Sequence, residues 1–395
     1  MISDARETTI WVSTDVRVIA RNGKYYSTHS ALNDGTLDRC RLPGVRLVLV
    51  ARVVESWPIE ASQLSSMDDV AALHETTGSA VRRLTGIIFQ TARLRVRQRD
   101  VVVARIPEVV STLLWLRGTA VGARTIANFV AEASAAIHFF GRRRSSIEKL
   151  LERMARLVAK RSSATVYVTR WMLQDRYPPR SALTLSQSNV QLPEGWYDRG
   201  PRSFHAREVR RLIAVGQLES NGKGIDILLR AFQLAQREVD DLELVILGDG
   251  SLRAELEKLA ESLGVDKRVT FVGFVSTREE LANWLDQSHL LVMPSRYEGL
   301  PRSAVEAQAR GLPCLASDVG GLPEVVPPEG IHAAGDYKQL ARMIVRTHMD
   351  EAYATRLAAD GYMTSVAISD AADPELFTDL VASTLTLREH AQGSE

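Results

Sequence analysis

The sequence predicts an α/β protein built from two parallel-sheet domains, and three observations carry that reading. The chain has 395 residues, and single cores stop growing beyond roughly 250–300 residues. From residue 211 onward, short apolar runs alternate with amphipathic stretches of helical length. That order gives a parallel sheet with right-handed crossovers. Glycine-rich turns close several of those apolar runs, at the carboxyl strand ends where such sheets bind ligands. The stretch Leu192 to Ala206, rich in Pro, Gly and aromatics, divides the chain. The expected domains are 1–195 and 206–370, with a helical tail at 371–395.

In the first half, Thr8 to Val12 and Asp15 to Ala20 read as one or two opening strands, followed by a turn at Arg21-Asn22-Gly23-Lys24. Leu47 to Ala51 and Asp100 to Ala104 are continuous apolar runs of the kind a buried strand shows. Ala61 to Thr77 is polar and reads as loop or loose helix. Val81 to Arg99 is ambiguous: Leu84, Ile87 and Ile88 suit a helix, whereas Arg93, Arg95, Arg97 and Arg99 alternate as in an edge strand. Val109 to Leu116 is a helix, Arg124 to Val130 a strand and Ala164 to Val168 another. Between them Ile147, Leu150, Leu151, Met154, Leu157 and Val158 form an apolar stripe along a helix at Ser145 to Lys160. The rest of that helix is basic. Such a helix either turns its stripe to the core or lies on an anionic membrane.

The second half is regular. Strands are expected at 211–216, 242–247, 268–272, 289–293 and 313–317, with helices at 224–238, 251–263, 277–286 and 301–310. Beyond Gly335 the tail is helical, and Glu375 to Leu387 is the last helix. The most informative stretch is Ser295-Arg296-Tyr297-Glu298-Gly299-Leu300-Pro301-Arg302-Ser303-Ala304-Val305-Glu306. Glu298-Gly299 falls in a turn, and Pro301 suits the first helical position, where its missing N–H costs nothing. Glu298 then precedes the helix and Glu306 lies inside it, roughly 12 Å away at about 1.5 Å per residue. That separation is too wide for a glycosidase-like carboxylate pair. It suits two separate hydroxyl groups on one extended ligand, with the N–H groups of Gly299 and the helix start facing an anion.

Four further turns accompany it: Val215-Gly216 before Asn221-Gly222-Lys223-Gly224, Leu247-Gly248-Asp249-Gly250, Phe271-Val272-Gly273-Phe274, and Gly311 to Gly321 with Glu324 beyond. With these motifs, residues 210–326 resemble the nucleotide-binding lobe of the retaining family 4 glycosyltransferases of GT-B fold. The resemblance implies two Rossmann-like domains facing across a cleft, an acceptor held by the first domain, and a last helix crossing back onto it. It implies catalytic roles for Glu298, at the donor-sugar hydroxyls, and Lys223, at the diphosphate. Donor binding falls to Gly216, Gln217, Val272, Gly299, Leu300, Pro301 and Glu306, the last on the ribose, and to Gly23, a single glycine where the family has a glycine pair after the first strand and one that a plain hairpin turn also accounts for. One departure is Gln217, where the family has a phosphate-binding Arg; Gln brings no charge, and charge-assisted bonds are about twice as strong. His138 is placed like a family histidine but stands in an apolar setting that equally suits a core residue.

The expected reaction is transfer from a UDP- or GDP-sugar to a lipid-linked, polysaccharide or small-molecule acceptor, as in cell-envelope assembly. No D-x-D triplet occurs, so no metal or other cofactor is expected. A phosphorylase or epimerase of the same fold stays open. So does a non-catalytic sugar-nucleotide-binding subunit, which Gln217 motivates.

Composition is that of a soluble globular protein, without an 18-residue apolar run or a secretion signal. Cys40 and Cys314 stand alone in the sequence, which argues against a disulfide framework or zinc site. The expected location is the cytoplasm, at the inner face of the plasma membrane if the basic half meets lipid. Net charge is +1, yet residues 1–200 hold 29 Lys/Arg against 18 Asp/Glu, and 82–161 hold 17 against 5. That excess is either a solvated surface or a footprint for a polyanion. No helix-turn-helix or aromatic-interleaved pattern supports specific nucleic-acid binding.

Overall fold

The computed structural model describes residues 8–21, 24–27, 36–54, 65–67, 70–74, 80–133, 145–188, 190–193 and 195–386. It divides into two units, Met1–Asn189 with Asp373–Glu395, and Val190–Ala372.

Unit one contains β1 (Thr9–Arg21), β2 (Lys24–Ser27), α1 (Thr36–Arg39), β3 (Arg46–Val54), β4 (Ser65–Met67), β5 (Val70–His74) and α2 (Ala80–Ala92). There follow β6 (Val101–Ile106), α3 (Val109–Ala120), β7 (Arg124–Phe129), α4 (Ser145–Arg161), β8 (Ala164–Tyr167), α5 (Met172–Arg176) and β9 (Thr184–Ser186). Parallel pairing runs β5-β3-β1-β6-β7-β8-β9. The opening segment is a single long strand whose register against β3 shifts between Ser13 and Arg17. Its first part pairs with β6 through Ile10–Ser13, and its last part pairs antiparallel with β2, which in turn carries β4.

One expectation for this half needs correction, and one open reading is settled. Ala61 to Thr77 is not simply loop: β5 within it extends the parallel sheet through β3. Its core, Val70-Ala71-Ala72-Leu73, is short and alanine-rich, a weak strand signal. The alternating arginines at 93–99 form no strand. Helix α2 ends at Ala92, and the chain then turns on Asp100, whose carboxylate accepts from Arg97 N at 2.8 Å and from Trp11 Nε1 at 3.0 Å.

Strand β6 opens with four buried apolar residues, Val101 to Ala104, because both its faces are covered. Val101 and Val103 join Ile10, Val12, Ile126 and Val166 in one apolar cluster. On the other face Val102 meets α3, so closely that a Cβ on Gly118 would lie 2.8 Å from its Cγ2. Burying each such side chain contributes about 1.5–3 kcal/mol.

Unit two contains β10 (Arg211–Val215), α6 (Ile225–Gln236), β11 (Glu243–Leu247), α7 (Arg253–Ser262), β12 (Val269–Gly273), α8 (Arg278–Asp286) and β13 (Leu290–Met293). It continues with α9 (Arg302–Ala309), β14 (Cys314–Ser317), α10 (Leu322–Val325), β15 (Ile331–His332), α11 (Tyr337–Met349) and α12 (Glu351–Asp370). The strands pair in the order β12-β11-β10-β13-β14-β15, all parallel. Alternate residues of the central strands feed opposite faces, as the two-residue strand period requires. Leu212, Leu244, Ile246, Leu290 and Val292 pack with α6, α11 and α12, while Ile213, Val245, Leu291 and Met293 pack with α8, α9 and α10.

The last helix, α13 (Pro374–Thr386), belongs to unit one: Phe377, Leu380 and Val381 complete the cluster around Ile10 and Val103. The division between units falls at Asn189/Val190, ahead of the Pro/Gly-rich stretch, because Val190 and Trp196 are already buried in unit two. Among the described residues no helix is long and apolar enough to cross a membrane.

On α9, Gln308 is fully buried, and neither amide atom has a partner among the described residues. Its amide presses on α12, where a Cβ on Gly361 would come within 2.7 Å of Nε2. An unsatisfied buried amide costs about 1–3 kcal/mol. Gln308→Met keeps the length and removes that cost, so the thermal midpoint of unit two is expected to rise by roughly 2–4 °C. A lower midpoint would mean the amide does have a partner in solution.

Candidate active site

In unit two the strand order reverses between β10 and β13: β10, β11 and β12 step one way, and β13, β14 and β15 the other. Open α/β sheets bind ligands at the carboxyl ends of the strands beside such a reversal. Lys223 comes from the β10 loop and Glu298 from the β13 loop.

Lys223 ends a short 3-10 turn, Asn221–Lys223, capped by the Ser220 side chain. Gly224 follows at φ 65° and opens α6; a Cβ there would lie 2.0 Å from Pro294 O, so the position requires glycine on both counts. The Lys223 stem runs over Gly216, where a Cβ would stand 2.8 Å from Cγ. Its Nζ donates to Glu298 Oε1 at 2.6 Å. That oxygen also accepts from Ser295 Oγ at 2.8 Å, and Glu298 is 9% exposed. From the other side Gly320, at φ 55°, would drive a Cβ to 2.1 Å from Glu298 O. Next to it Gly321 N donates to Gly299 O at 2.9 Å.

A set of contacts unforeseen from the sequence clamps the two central loops together. Arg296 N donates to Gly222 O at 2.7 Å, and its guanidinium reaches Asn221 O and both oxygens of Asp226 at 2.7 Å each. Burial alone would raise the Asp226 carboxyl, but the Arg296 guanidinium outweighs it and holds the group below its ordinary range. The Tyr297 hydroxyl shares a 2.7 Å hydrogen bond with Ser220 Oγ, and burial pushes that phenol up. The hydroxyl end of the ring presses on the loop, so that a Cβ on Gly222 would fall 2.2 Å from its oxygen. The only sequence signals were proximity to the motifs: Arg296 and Tyr297 precede Glu298, and Asp226 follows Lys223 by one helical turn.

The other expected donor-binding residues are placed as follows. Pro301 is the N-cap of α9, not its first helical residue; the helix begins at Arg302, because Pro301 keeps an extended ψ of 98° while its carbonyl already accepts from Ala304 N. The first N–H groups of α9 therefore have no acceptor within the helix. Leu300 and Val272 pack into the apolar cluster that holds Met293. Gln217 is exposed at the end of β10. Glu306 lies one turn into α9, 9% exposed, with Arg302 Nη2 at 3.8 Å from Oε1. Burial raises its carboxyl above the ordinary range, tempered by Arg302 and Arg278. Gly23 and His138 lie outside the described residues.

Two substitutions test this packing. Gly222→Ala forces the Tyr297 ring out of contact and should destabilise unit two by about 1–3 kcal/mol. In a Tyr297→Ala background the same change should cost markedly less; equal costs in a double-mutant cycle would refute the clamp. The Glu306 carboxyl has its folded pKa above the ordinary 4.5, so the native state binds the proton more tightly than the unfolded chain. Its contribution therefore opposes folding as pH rises above that value and vanishes below it. Glu306→Gln should be more stable than the parent at neutral pH, with the difference closing as pH falls to 4.5 in denaturant melts. A difference independent of pH would contradict the raised carboxyl.

With this geometry in place, known proteins bear on it. Residues 201–362 match the model of the family described as glycosyl transferases group 1. Protein CapJ of Staphylococcus aureus is 26% identical over 267 residues, which is 67% of this chain and 67% of CapJ. The Vi polysaccharide biosynthesis protein VipC/TviE of Salmonella typhi is 42% identical over 80 residues, 20% of this chain and only 13% of that protein. Among solved structures, Anabaena HepE in complex with UDP-glucose superposes over 96% of this chain and 100% of its own, with a TM-score of 0.63 at 16% identity. At that identity the likeness speaks for the fold alone. The chain thus has the two-domain GT-B fold, and its residues 201–362 are similar to the glycosyl transferases group 1.

Proposed function

We propose that this chain is a retaining glycosyltransferase that moves a sugar from a UDP- or GDP-sugar to a lipid-linked, polysaccharide or small-molecule acceptor, without a metal ion. The observation that carries the reading is the Lys223–Glu298 contact of 2.6 Å at the point where the strand order reverses. A cation and a carboxylate held side by side suit a ligand that is anionic at one end and rich in hydroxyls at the other. The diphosphate meets Lys223 and the N–H groups opening α9, and the sugar hydroxyls meet Glu298. Glu306, deeper on the same helix, takes the ribose.

In the reaction the anomeric carbon–oxygen bond to the diphosphate breaks and its electron pair leaves with the phosphate. The acceptor hydroxyl bonds to the same face of the sugar, and its proton passes to the departing phosphate oxygen. Negative charge grows on the diphosphate, where the Lys223 ammonium and the helix dipole stabilise it most. Gln217 supplies a hydrogen bond but no charge there; Arg302, the first residue of α9, is one candidate for the missing cation, and without a substitute turnover is weaker. The proposed donor is of the kind with which HepE was solved, UDP-glucose, and the proposed glycan acceptor is in keeping with VipC/TviE, which is named for polysaccharide biosynthesis.

The test is hydrolysis or transfer from UDP- and GDP-sugars in the presence of EDTA. Lys223→Ala should lower kcat by about 10²–10³, and Glu298→Ala should abolish turnover. Full activity of the Glu298→Ala protein would overturn the assignment. The exposed, uncharged Gln217 also favours a second reading, a unit that binds a sugar nucleotide without turning it over. Tight nucleotide binding with no turnover on any acceptor would establish that reading instead.

A further inference from the structure

The connections β5→β6, β6→β7 and β7→β8 all step the same way along the sheet of unit one. Right-handed crossovers therefore place α2, α3 and α4 on one face. Helix α2 packs against α3, and Trp115 of α3 donates to Ser162, just past α4, at 2.9 Å. The opposite face is covered by α1 and α13, with Leu37 and Phe377 in the cluster beneath them.

The outward side of the three helices is unusual in two respects. It carries Ile88 (43% exposed), Phe89 (57%), Leu116 (40%), Leu150 (58%) and Leu157 (36%). The same helices hold eight Lys/Arg against two Glu, and one of those acids, Glu152, is already bonded to Arg176 and Tyr177. On α4 the two features share one arc. At 100° per residue, Leu150, Leu157 and Arg161 fall within a narrow strip, with Arg153, Lys160, Lys149 and Arg156 beside it; all these side chains are exposed. Ala155, Val158 and Ala159 take the buried side. On α2, Ile88, Phe89 and Arg82 share the outer arc, and the Arg93 guanidinium stacks 3.9 Å from the Phe89 ring centroid.

We propose that this α2–α3–α4 face docks on an anionic lipid surface. Cations meet the headgroups, and the leucines, Ile88 and Phe89 enter the boundary of the acyl region. Charge complementarity selects this occupant. A second copy of the chain would set two strongly basic faces against each other, which costs several kcal/mol for close like charges. A nucleic acid would satisfy the cations and leave the aliphatic side chains facing a charged backbone. The inference is independent of glycosyl transfer and stands whether or not unit two turns over a sugar.

The experiment is co-sedimentation of the full chain with phosphatidylcholine vesicles, with and without one-quarter phosphatidylglycerol. Binding is expected only to the anionic vesicles. Arg153→Glu with Lys160→Glu should reduce the partition by about 25-fold or more, at about fivefold per basic side chain. Leu150→Ser with Leu157→Ser should leave a weak association that salt removes. Arg230→Glu with Arg237→Glu, both exposed, on α6 of unit two and just past its end, should bind as the parent does. An unchanged thermal midpoint shows that the surface variants remain folded. Equal binding to both vesicle types, indifference to the α4 variants, or binding of a duplex DNA probe through the same residues would each overturn the proposal. Nucleotide-sugar hydrolysis in solution reads the separate question of activity.

Discussion

The organising constraint of unit two is that two loops 75 residues apart must meet within one hydrogen bond, Lys223 to Glu298. The ion pair does not itself produce that closeness. Lys223 is about one-third exposed, and pairs of that kind contribute about 1 kcal/mol or less. The closeness comes from backbone. Pro294 O leaves no room for a side chain at position 224, Glu298 O leaves none at 320, and Gly222 O accepts the Arg296 amide. Glycine is needed at these turns because main chain approaches main chain there, and the charged pair is a consequence. The arrangement resists a shift of either loop, since Arg296, Tyr297 and Glu298 each reach a different residue of the loop between Ser220 and Asp226.

Helix α9 shows how burial is distributed between function and cost. Glu306 and Gln308 are both polar and both buried, two residues apart, so they point to different sides of the helix. Glu306 keeps two arginines within electrostatic reach, which tempers but does not cancel the penalty of burying it. Gln308 faces α12 with no polar partner among the described residues. A costly buried carboxylate is what the proposed ribose contact would require. The same cost at the α9–α12 contact has no such use, and nothing in the structure explains it.

Unit two was legible because its signals agree: apolar runs of strand length, helical spacers and glycines at strand ends all indicate one sheet. Every strand from β10 to β14 lies where the pattern placed it. What escaped was local. Strand β15, Ile331–His332, is too short to leave a pattern, and the start of α9 moved by one residue because Pro301 caps the helix instead of entering it. The Arg296–Asp226 clamp escaped because a pairing across 70 residues has no sequence period. Unit one was less legible for a different reason. Its first strand borrows two partners on one edge, β6 and then β2, and strand β5 is built largely of small residues.

Helix α4 marks the limit of periodicity most clearly. Six apolar residues at helical spacing define a stripe, and the spacing is equally compatible with a core face and with a lipid-facing one. The structure divides the stripe. Val158 is buried together with Ala155 and Ala159, two small residues that a stripe of large side chains does not contain. Leu150 and Leu157 turn outward among arginines and lysines. The inward side of the helix is taken by Ala155, Val158 and Ala159, which leaves Leu150 and Leu157 on the side that meets solvent. The helix is therefore amphipathic twice over, once toward its own core and once toward its surroundings. The spacing of apolar residues along the chain merges the two directions into one stripe, whereas a charge count over the whole chain, at +1, conceals the second.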